Sequence, residues 1–329
     1  MSDLLLVTGG TGLTGSTVAL LAARQGRAVR ALVRSRDGVD PLTAAGVEVR
    51  VGDVTRPDTL DDAMAGVSQV INTAAVLSGT WLRATPEEMW AVNHDGALNV
   101  LDAAARAGVS RCLHIDSNSI WDTAATLTER SPLIPVTELD SPYVAAKRAA
   151  YAGALHRAMR GQDIVFVTPG AIYGPGVFAD RALDPTCFTR TALRGIRGEL
   201  DTYLAFPMMW TYVADLAEIV LRALDHGQVG QRYLALGRLE DVSSLAGYCN
   251  QAAELAGSSH RVRDVGPTDP DAPAIGTMRQ FAERPYATPL FDDTRTVSAL
   301  GYGSTPRAEA LAVTVAWLRA QESICEEPG

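Results

Sequence analysis

Leu4-Leu5-Leu6-Val7 runs directly into Thr8-Gly9-Gly10-Thr11-Gly12-Leu13-Thr14-Gly15, and a helical stretch from Ser16 to Gln25 follows, ended by Gly26. A buried strand that turns through spaced glycines into a helix leaves few folds open to the chain. The alternation then repeats. Ala28 to Val33 and Val47 to Val51 read as strands two and three, Thr59 to Ala65 as a helix and Val70 to Thr73 as strand four. Pro86 to Ala107 reads as a long helix closed by Gly108, and Cys112 to Asp116 as strand five. Pro142 to Arg160 is a second long helix closed by Gly161, and Ile164 to Thr168 is strand six. Strands that are apolar throughout are covered on both faces, and strands separated by helices run parallel. The expected fold class is α/β, a doubly wound parallel sheet.

Beyond Pro169 the pattern changes. Residues 170–211 mix Gly, Pro, Met and aromatics around one helical stretch, Phe188 to Gly195. Val213 to Asp225 is helical, Arg232 to Leu236 a strand and Val242 to Ala256 a helix. Residues 264–290, rich in Pro, Asp and Gly, read as a long loop, and an amphipathic helix near Ala308 to Gln321 closes the chain. The expectation is a sheet domain of residues 1–169 plus 212–238, with a smaller, interleaved substrate-binding module of 170–211 plus 239–329.

Glycines at 9, 12 and 15 permit a tight turn, close approach of a pyrophosphate, and packing of helix on strand. The free N–H groups and the dipole at that helix end favour phosphates. Thr8, Leu13 and Thr14 flank these glycines and belong to the same expected cofactor site. About 20 residues further on, an NAD site usually places an acid on the ribose hydroxyls. Here strand two ends in Leu32-Val33-Arg34-Ser35-Arg36. A guanidinium holds a 2′-phosphate bidentately, whereas an acid repels it. Arg34 and Arg36 therefore favour NADP(H), while Asp37 keeps NAD(H) open. Asp53 and Val54, after strand three, are placed at the adenine, and Thr73, Ala74 and Ala75, after strand four, line the cofactor.

The chain holds 28 arginines and a single lysine, Lys147. Coding bias accounts for a preference for arginine; the exception sits in Ser141-Pro142-Tyr143-Val144-Ala145-Ala146-Lys147. Ser141 suits an N-cap and Pro142 a first helical position. Tyr143 and Lys147 then lie at i and i+4 on one helix face. An ammonium beside a phenol stabilises the phenolate and draws its pKa from ~10 toward neutrality, which makes a general acid/base.

Taken together, Thr8 to Gly15, Asp53, Asn72 to Ala75, Asn93, Ser117, Tyr143 and Lys147 resemble the short-chain dehydrogenase/reductase superfamily and its Rossmann fold. Thr168 to Gly176 and Tyr212 to Ala217 resemble its extended branch. That branch includes nucleotide-sugar epimerases and dehydratases, dihydroflavonol-4-reductase-like carbonyl reductases and 3β-hydroxysteroid dehydrogenases. The resemblance implies Tyr143 as acid/base, Lys147 as its activator and ribose anchor, and Asn93 as support for a proton relay. It also places Pro169, Gly170 and Ile172 near the cofactor. Such enzymes usually end strand five with paired hydroxyls before a Tyr-Gly. Here His114-Ile115-Asp116-Ser117-Asn118-Ser119-Ile120-Trp121 stands instead. Aligning Trp121 with that Tyr makes Ser117 the substrate-polarising residue, with Ser119 as the alternative, and Asp116 replaces the first hydroxyl.

Two departures bear on substrate. Nucleotide-sugar enzymes of the branch commonly carry an Arg before the segment matching Tyr212 to Ala217, and another before the Pro-Gly. This chain has Phe206-Pro207-Met208-Met209-Trp210-Thr211 and Thr168. Leu77, Trp81, Trp121, Phe178, Tyr203, Phe206, Met209 and Trp210 are candidate walls. Apolar walls suit an uncharged ligand better than a diphosphate sugar. The expected activity is NADP(H)-dependent reduction of a ketone or aldehyde on an apolar or polyphenolic molecule, reversibly the alcohol oxidation. A nucleotide-sugar epimerase or dehydratase is the alternative, and a non-catalytic sensor on the same fold a third reading. In this family the two long helices commonly build a dimer interface, so a homodimer is expected.

The remaining classes fall away on composition. At a net charge of −9 there is no electrostatic reason for a nucleic-acid or anionic-membrane partner. The histidines lack HxxxH or HExxH spacing and the four cysteines are scattered, so no metal site is expected and a reducing cytoplasm is. Residues 4–23 are uncharged and long enough to span a bilayer, but hold four glycines and four threonines, so no membrane segment is expected.

Overall fold

The computed structural model describes residues 4–77, 84–135, 141–273 and 276–321. Six strands in chain order are β1 (Leu4–Thr8), β2 (Ala28–Val33), β3 (Glu48–Val51), β4 (Val67–Asn72), β5 (Arg111–Ile115) and β6 (Ile164–Pro169). A seventh, Arg232–Ala235, joins them in one sheet of order Arg232–Ala235, β6, β5, β4, β1, β2, β3. Every pairing is parallel. All carboxyl ends therefore lie on one edge, and the strand order reverses between β1 and β4, where such sheets open a crevice.

Alternation along each strand feeds two cores. Leu6 joins Leu32, Val70, Cys112 and Phe166 on one face. Its neighbours Leu5 and Val7 join Ala31, Ile71, Leu113 and Val165 on the other. Because both faces are covered, adjacent residues are all apolar. Burial of each such side chain is worth about 1.5–3 kcal/mol. The helix Pro142–Met159 starts as its sequence indicates, with the Ser141 hydroxyl accepting from Val144 N–H at 3.4 Å. Val144, Tyr151, Ala154 and Ala158 press it onto the first core.

Several boundaries differ from expectation. The long helix from Pro86 is not uniform: Pro86–Trp90 passes through a widened π segment, Ala91–Gly96, into Ala97–Arg106. The segment coincides with Asn93, whose amide is held by the main chain of Val76. Such widened turns occur where a side chain is drawn out of the regular helical path. The helix expected over 59–65 is split into a tight turn, Pro57–Thr59, and Leu60–Met64. A short helix, Asp40–Ala44, was not foreseen.

In the second half, Ala171–Tyr173 pairs with Trp210–Tyr212, and Thr202–Leu204 with Arg263–Val265. The helices Phe188–Arg197, Leu245–Ala256 and Arg307–Gln321 enclose a third core around Trp210, which stacks on Tyr248 at 4.0 Å between ring centres. The stretch read as a loop over 264–290 contains the helix Gly276–Glu283. Among the described residues no helix is long and apolar enough to cross a membrane.

Candidate active site

The glycine turn sits at the β1 end of the crevice. Gly9 takes φ +65°, and Gly12 N–H donates to Gly9 O at 2.9 Å. A Cβ at Gly15 would stand 2.2 Å from Gly9 O and 2.8 Å from Thr73 Oγ1, so no side chain fits there. A Cβ at Gly12 would meet only Gly9 O, at 3.3 Å, leaving its outer side open. The helix Leu13–Arg24 begins there with no side-chain cap and no acid in its first turn. Its unpaired N–H groups and positive dipole end thus face the crevice beside half-buried Leu13 and Thr14. Gly15→Ala is expected to force the turn open, lowering stability by about 1–3 kcal/mol and weakening dinucleotide binding. Thermal melts with and without cofactor measure both effects; an unchanged melt would contradict this packing.

Thr8 corrects an expectation. It is fully buried, donates to Asn72 Oδ1 at 2.7 Å and accepts from Thr73 N–H and Ala74 N–H at 3.2 Å each. Its hydroxyl ties the ends of β1 and β4 together and is not presented to a ligand. Thr73 reinforces this tie by donating to Thr8 O at 2.6 Å, with half-buried Ala74 and exposed Ala75 continuing along the crevice. Beyond β2, Arg34 is exposed, with no hydrogen bond or ion pair among the described residues. Arg36 donates to Val49 O at 3.1 Å, and the Asp37 carboxylate accepts from Ser35 at 2.6 Å. One oxygen of Asp53 accepts from Thr55, while Val54 is buried and accepts from Asn99 through its carbonyl. Pro169 is buried opposite Ala235, Gly170 N–H donates to Thr211 Oγ1 at 2.8 Å, and Ile172 packs on the second core.

At the end of β5, Ser117 caps a tight turn, its hydroxyl 2.8 Å from that of Ser119. Half-buried Tyr143 lies close enough to Ser117 for that hydroxyl to act on its phenol as a hydrogen-bond partner. Lys147, 4% exposed, donates to Ile115 O at 2.7 Å. Ser117, Tyr143 and Lys147 thus converge at the carboxyl edge of the sheet. One electrostatic expectation fails. Burial pushes the Tyr143 phenol up to about 12, and Asp116 adds to the rise against the pull of Ser117. Lys147 is not among the groups that lower it, and its ammonium donates to Ile115 O instead. Asn93 is buried and clasps Val76: its Oδ1 accepts from Val76 N–H and its Nδ2 donates to Val76 O, both at 2.8 Å, which fixes the segment after β4.

The expected substrate walls divide. Trp121, Met209 and Trp210 are 2–3% exposed and belong to the packed cores, so they are corrected to structural residues. Trp121 packs against Tyr151, and Trp210 donates from Nε1 to Ser243 Oγ at 3.0 Å. Phe178 packs on the second core, Tyr203 on the third, and Leu77 is exposed. Trp81 lies outside the described residues. Phe206 stacks on Phe281 at 6.0 Å, and Arg284 sits 5.9 Å above the same ring while donating to Trp121 O. Phe281 and Arg284 were missed because their segment has a loop-like composition. Only an aromatic and an arginine three residues apart could have flagged it. Among the described residues no group of three or more His, Cys, Asp or Glu could hold a metal ion.

Comparison with known proteins agrees with the family and the fold. A sequence model described as the NAD dependent epimerase/dehydratase family matches residues 5–235. "Sterol demethylase protein B" of Methylococcus capsulatus is 28% identical over 344 residues, covering 95% of this chain and 98% of that protein. The 4-hydroxy-2-methyl-3-oxo-4-farnesyl-3,4-dihydroquinoline-1-oxide ketoreductase of Stigmatella aurantiaca is 30% identical over 237 residues, covering 69% and 66%. Among solved structures, DesIV of Streptomyces venezuelae, a dTDP-glucose 4,6-dehydratase with NAD and TYD bound, has a TM-score of 0.78. It is 24% identical and covers 98% of this chain and 99% of its own, a likeness of fold.

Proposed function

The chain belongs to the NAD dependent epimerase/dehydratase family, and from that premise we propose that it is an NADP(H)-dependent reductase of a ketone or aldehyde on an apolar or polyphenolic small molecule. The convergence of Ser117, Tyr143 and Lys147 on the carboxyl edge of the sheet, beside an uncapped helix start, carries this reading. The crevice residues fit a nicotinamide dinucleotide. Gly9, Gly12 and the first turn after it would take the pyrophosphate, Asp53 the adenine, and Arg34, free of internal partners, a 2′-phosphate. Asp37, turned to Ser35, is a weaker claim for NAD(H).

When bound, the nicotinamide supplies the hydride. The protein's own part is proton transfer and charge stabilisation. Ser117 donates a hydrogen bond to the carbonyl oxygen and strengthens it as negative charge develops. Tyr143, protonated at neutral pH because burial holds its phenol high, gives that oxygen its proton. Lys147, its ammonium held at Ile115 O, would anchor the ribose of the bound dinucleotide, and Asn93 holds the Val76 segment that borders the crevice. For the substrate, the uncharged run 206–211 and the Phe206–Phe281 stack favour an apolar body over a diphosphate. The sterol and farnesyl-quinoline relatives favour the same class, while relatives such as the dTDP-glucose 4,6-dehydratase of Streptomyces antibioticus keep nucleotide-sugar chemistry as the second reading.

The purified protein is expected to oxidise NADPH faster than NADH across a panel of aromatic ketones, aldehydes and steroids. Thermal-shift measurements with UDP-, dTDP- and GDP-sugars run beside it are expected to show no stabilisation. Absence of turnover across the panel, together with clear stabilisation by one nucleotide class, would overturn this order in favour of sugar chemistry.

A further inference from the structure

The loop that carries Ser117 is held from outside itself. After the turn Asn118–Ile120 the chain doubles back: Asp122 N–H donates to Pro132 O and Ile134 N–H to Ile120 O, both at 3.0 Å. Ile134 O accepts in turn from Arg148 Nε at 2.9 Å, on the helix Pro142–Met159 that bears Tyr143. Trp121, four residues after Ser117, is 2% exposed and meets Tyr151 of that helix nearly at right angles, 4.7 Å between ring centres. Tyr143, Lys147 and Tyr151 stand at successive i+4 spacings and share one helix face.

From the sheet side the same indole is met by Arg232. Its guanidinium carbon lies 3.3 Å from the centre of the Trp121 ring. Arg232 Nη2 donates to Thr128 O at 2.5 Å and to Ser131 O at 3.4 Å, so one side chain grips the loop near its start and again further along. In the sheet Arg232 stands opposite Phe166, whose ring lies 4.9 Å from that of Tyr151. Arg232, Trp121, Tyr151 and Phe166 thus close a circle of contacts between sheet, loop and helix. Arg232 is 3% exposed, and among the described residues its Nε and Nη1 have no partner. Interiors rarely leave such donors unmatched, and a well-packed apolar side chain would avoid that cost. What an apolar side chain lacks is a planar cation for the indole and a donor for the two carbonyls.

We propose that Arg232 is a positioning residue: through Trp121 and the carbonyls of Thr128 and Ser131 it holds the Ser117 loop in fixed relation to Tyr143. The proposal rests on the reading of Ser117 as the group that polarises the substrate carbonyl. Ser117 stands at the root of the loop, and its hydroxyl must meet the same oxygen that Tyr143 protonates, an alignment that small displacements spoil. The glycine turn follows β1, separated from β5 by β4, so dinucleotide binding does not depend on this grip.

Arg232→Met keeps the length of the side chain and removes its charge and plane. With a carbonyl that the wild type reduces, kcat is expected to fall about 10-fold or more while KM for NADPH stays the same. In a Ser117→Ala background the same substitution is expected to cost less than about twofold, because the hydroxyl it places is already gone. Equal losses in the two backgrounds, or no loss in either, would overturn the proposal. Hydrogen exchange followed by mass spectrometry, without cofactor or substrate, reads the grip directly. Amides 119–122 are expected to exchange about 10-fold faster or more in Arg232→Met, with those of β1 unchanged. Unchanged exchange at 119–122 in the folded variant overturns the proposal. If Arg232→Met loses its fold by circular dichroism, Arg232→Lys, which keeps the charge without the plane, takes its place with the same outcomes expected. Failure of the wild type to reduce any carbonyl, with faster exchange in the variant, would overturn the assigned activity and leave the grip on the loop standing. Normal reduction with unchanged exchange would do the reverse.

Discussion

Lys147→Arg is expected to cut turnover by about 10²-fold or more while leaving the protein folded, since small displacements of a positioning group cost that much. The substitution keeps the charge and follows the chain's own preference for arginine. What it removes is shape. Lys147 is buried, its ammonium 2.7 Å from Ile115 O. A planar guanidinium is longer and demands several donors' worth of partners. Overpacking of this kind costs about 1–3 kcal/mol, within what a domain of this size withstands. Steady-state kinetics with a thermal melt on the same sample separate the lost rate from lost stability. Near-normal turnover would mean that charge alone is needed at position 147, and the one lysine would return to coincidence.

Tyr143→Phe is expected to lower turnover by about 10²–10⁴-fold with little change in cofactor affinity. The ring keeps its packing on the first core, and only the phenol beside Ser117 is lost. The direction of the pKa shift adds a sign. A phenol held up at about 12 by burial stays protonated across neutral pH, ready to donate in reduction. In the reverse direction it must first lose that proton, so alcohol oxidation by the wild-type enzyme should climb steadily as pH rises. Dinucleotide titration by intrinsic fluorescence, beside rates in both directions, checks both statements. Full turnover without the phenol would favour a protein that binds the dinucleotide without using Tyr143 in chemistry.

Much of the sheet was readable from short stretches of chain. β1, β2 and β6 fall where continuous apolar runs place them, and the family implied by Thr8 to Gly15 with Tyr143 and Lys147 is the one the comparison finds. Gly15 was legible for a local reason, since the turn brings Gly9 O, six residues away, to where a side chain would stand. The walls of the substrate region were not legible. Trp210 and Phe206 read alike as apolar aromatics in one uncharged run, yet one stacks on Tyr248 in a core and the other on Phe281. An aromatic residue suits either setting, and composition alone does not choose between them.

The sequence by itself determined what depends on neighbours within a few residues: strand periodicity, the glycine turn, the Ser141 cap, and the i to i+4 pairing of Tyr143 with Lys147. Tertiary structure decided which distant groups meet. It set the fully engaged hydroxyl of Thr8, the clasp between Asn93 and Val76, and the burial of Asp116 just after β5. It also decided that Tyr143 sits high rather than near neutrality. Backbone sterics and hydrophobic periodicity act over short range and leave their mark in the order of residues. Desolvation and charge depend on everything packed around a group, and Arg232 acts on Asp116 only once the seventh strand and β5 lie in one sheet with β6 between them.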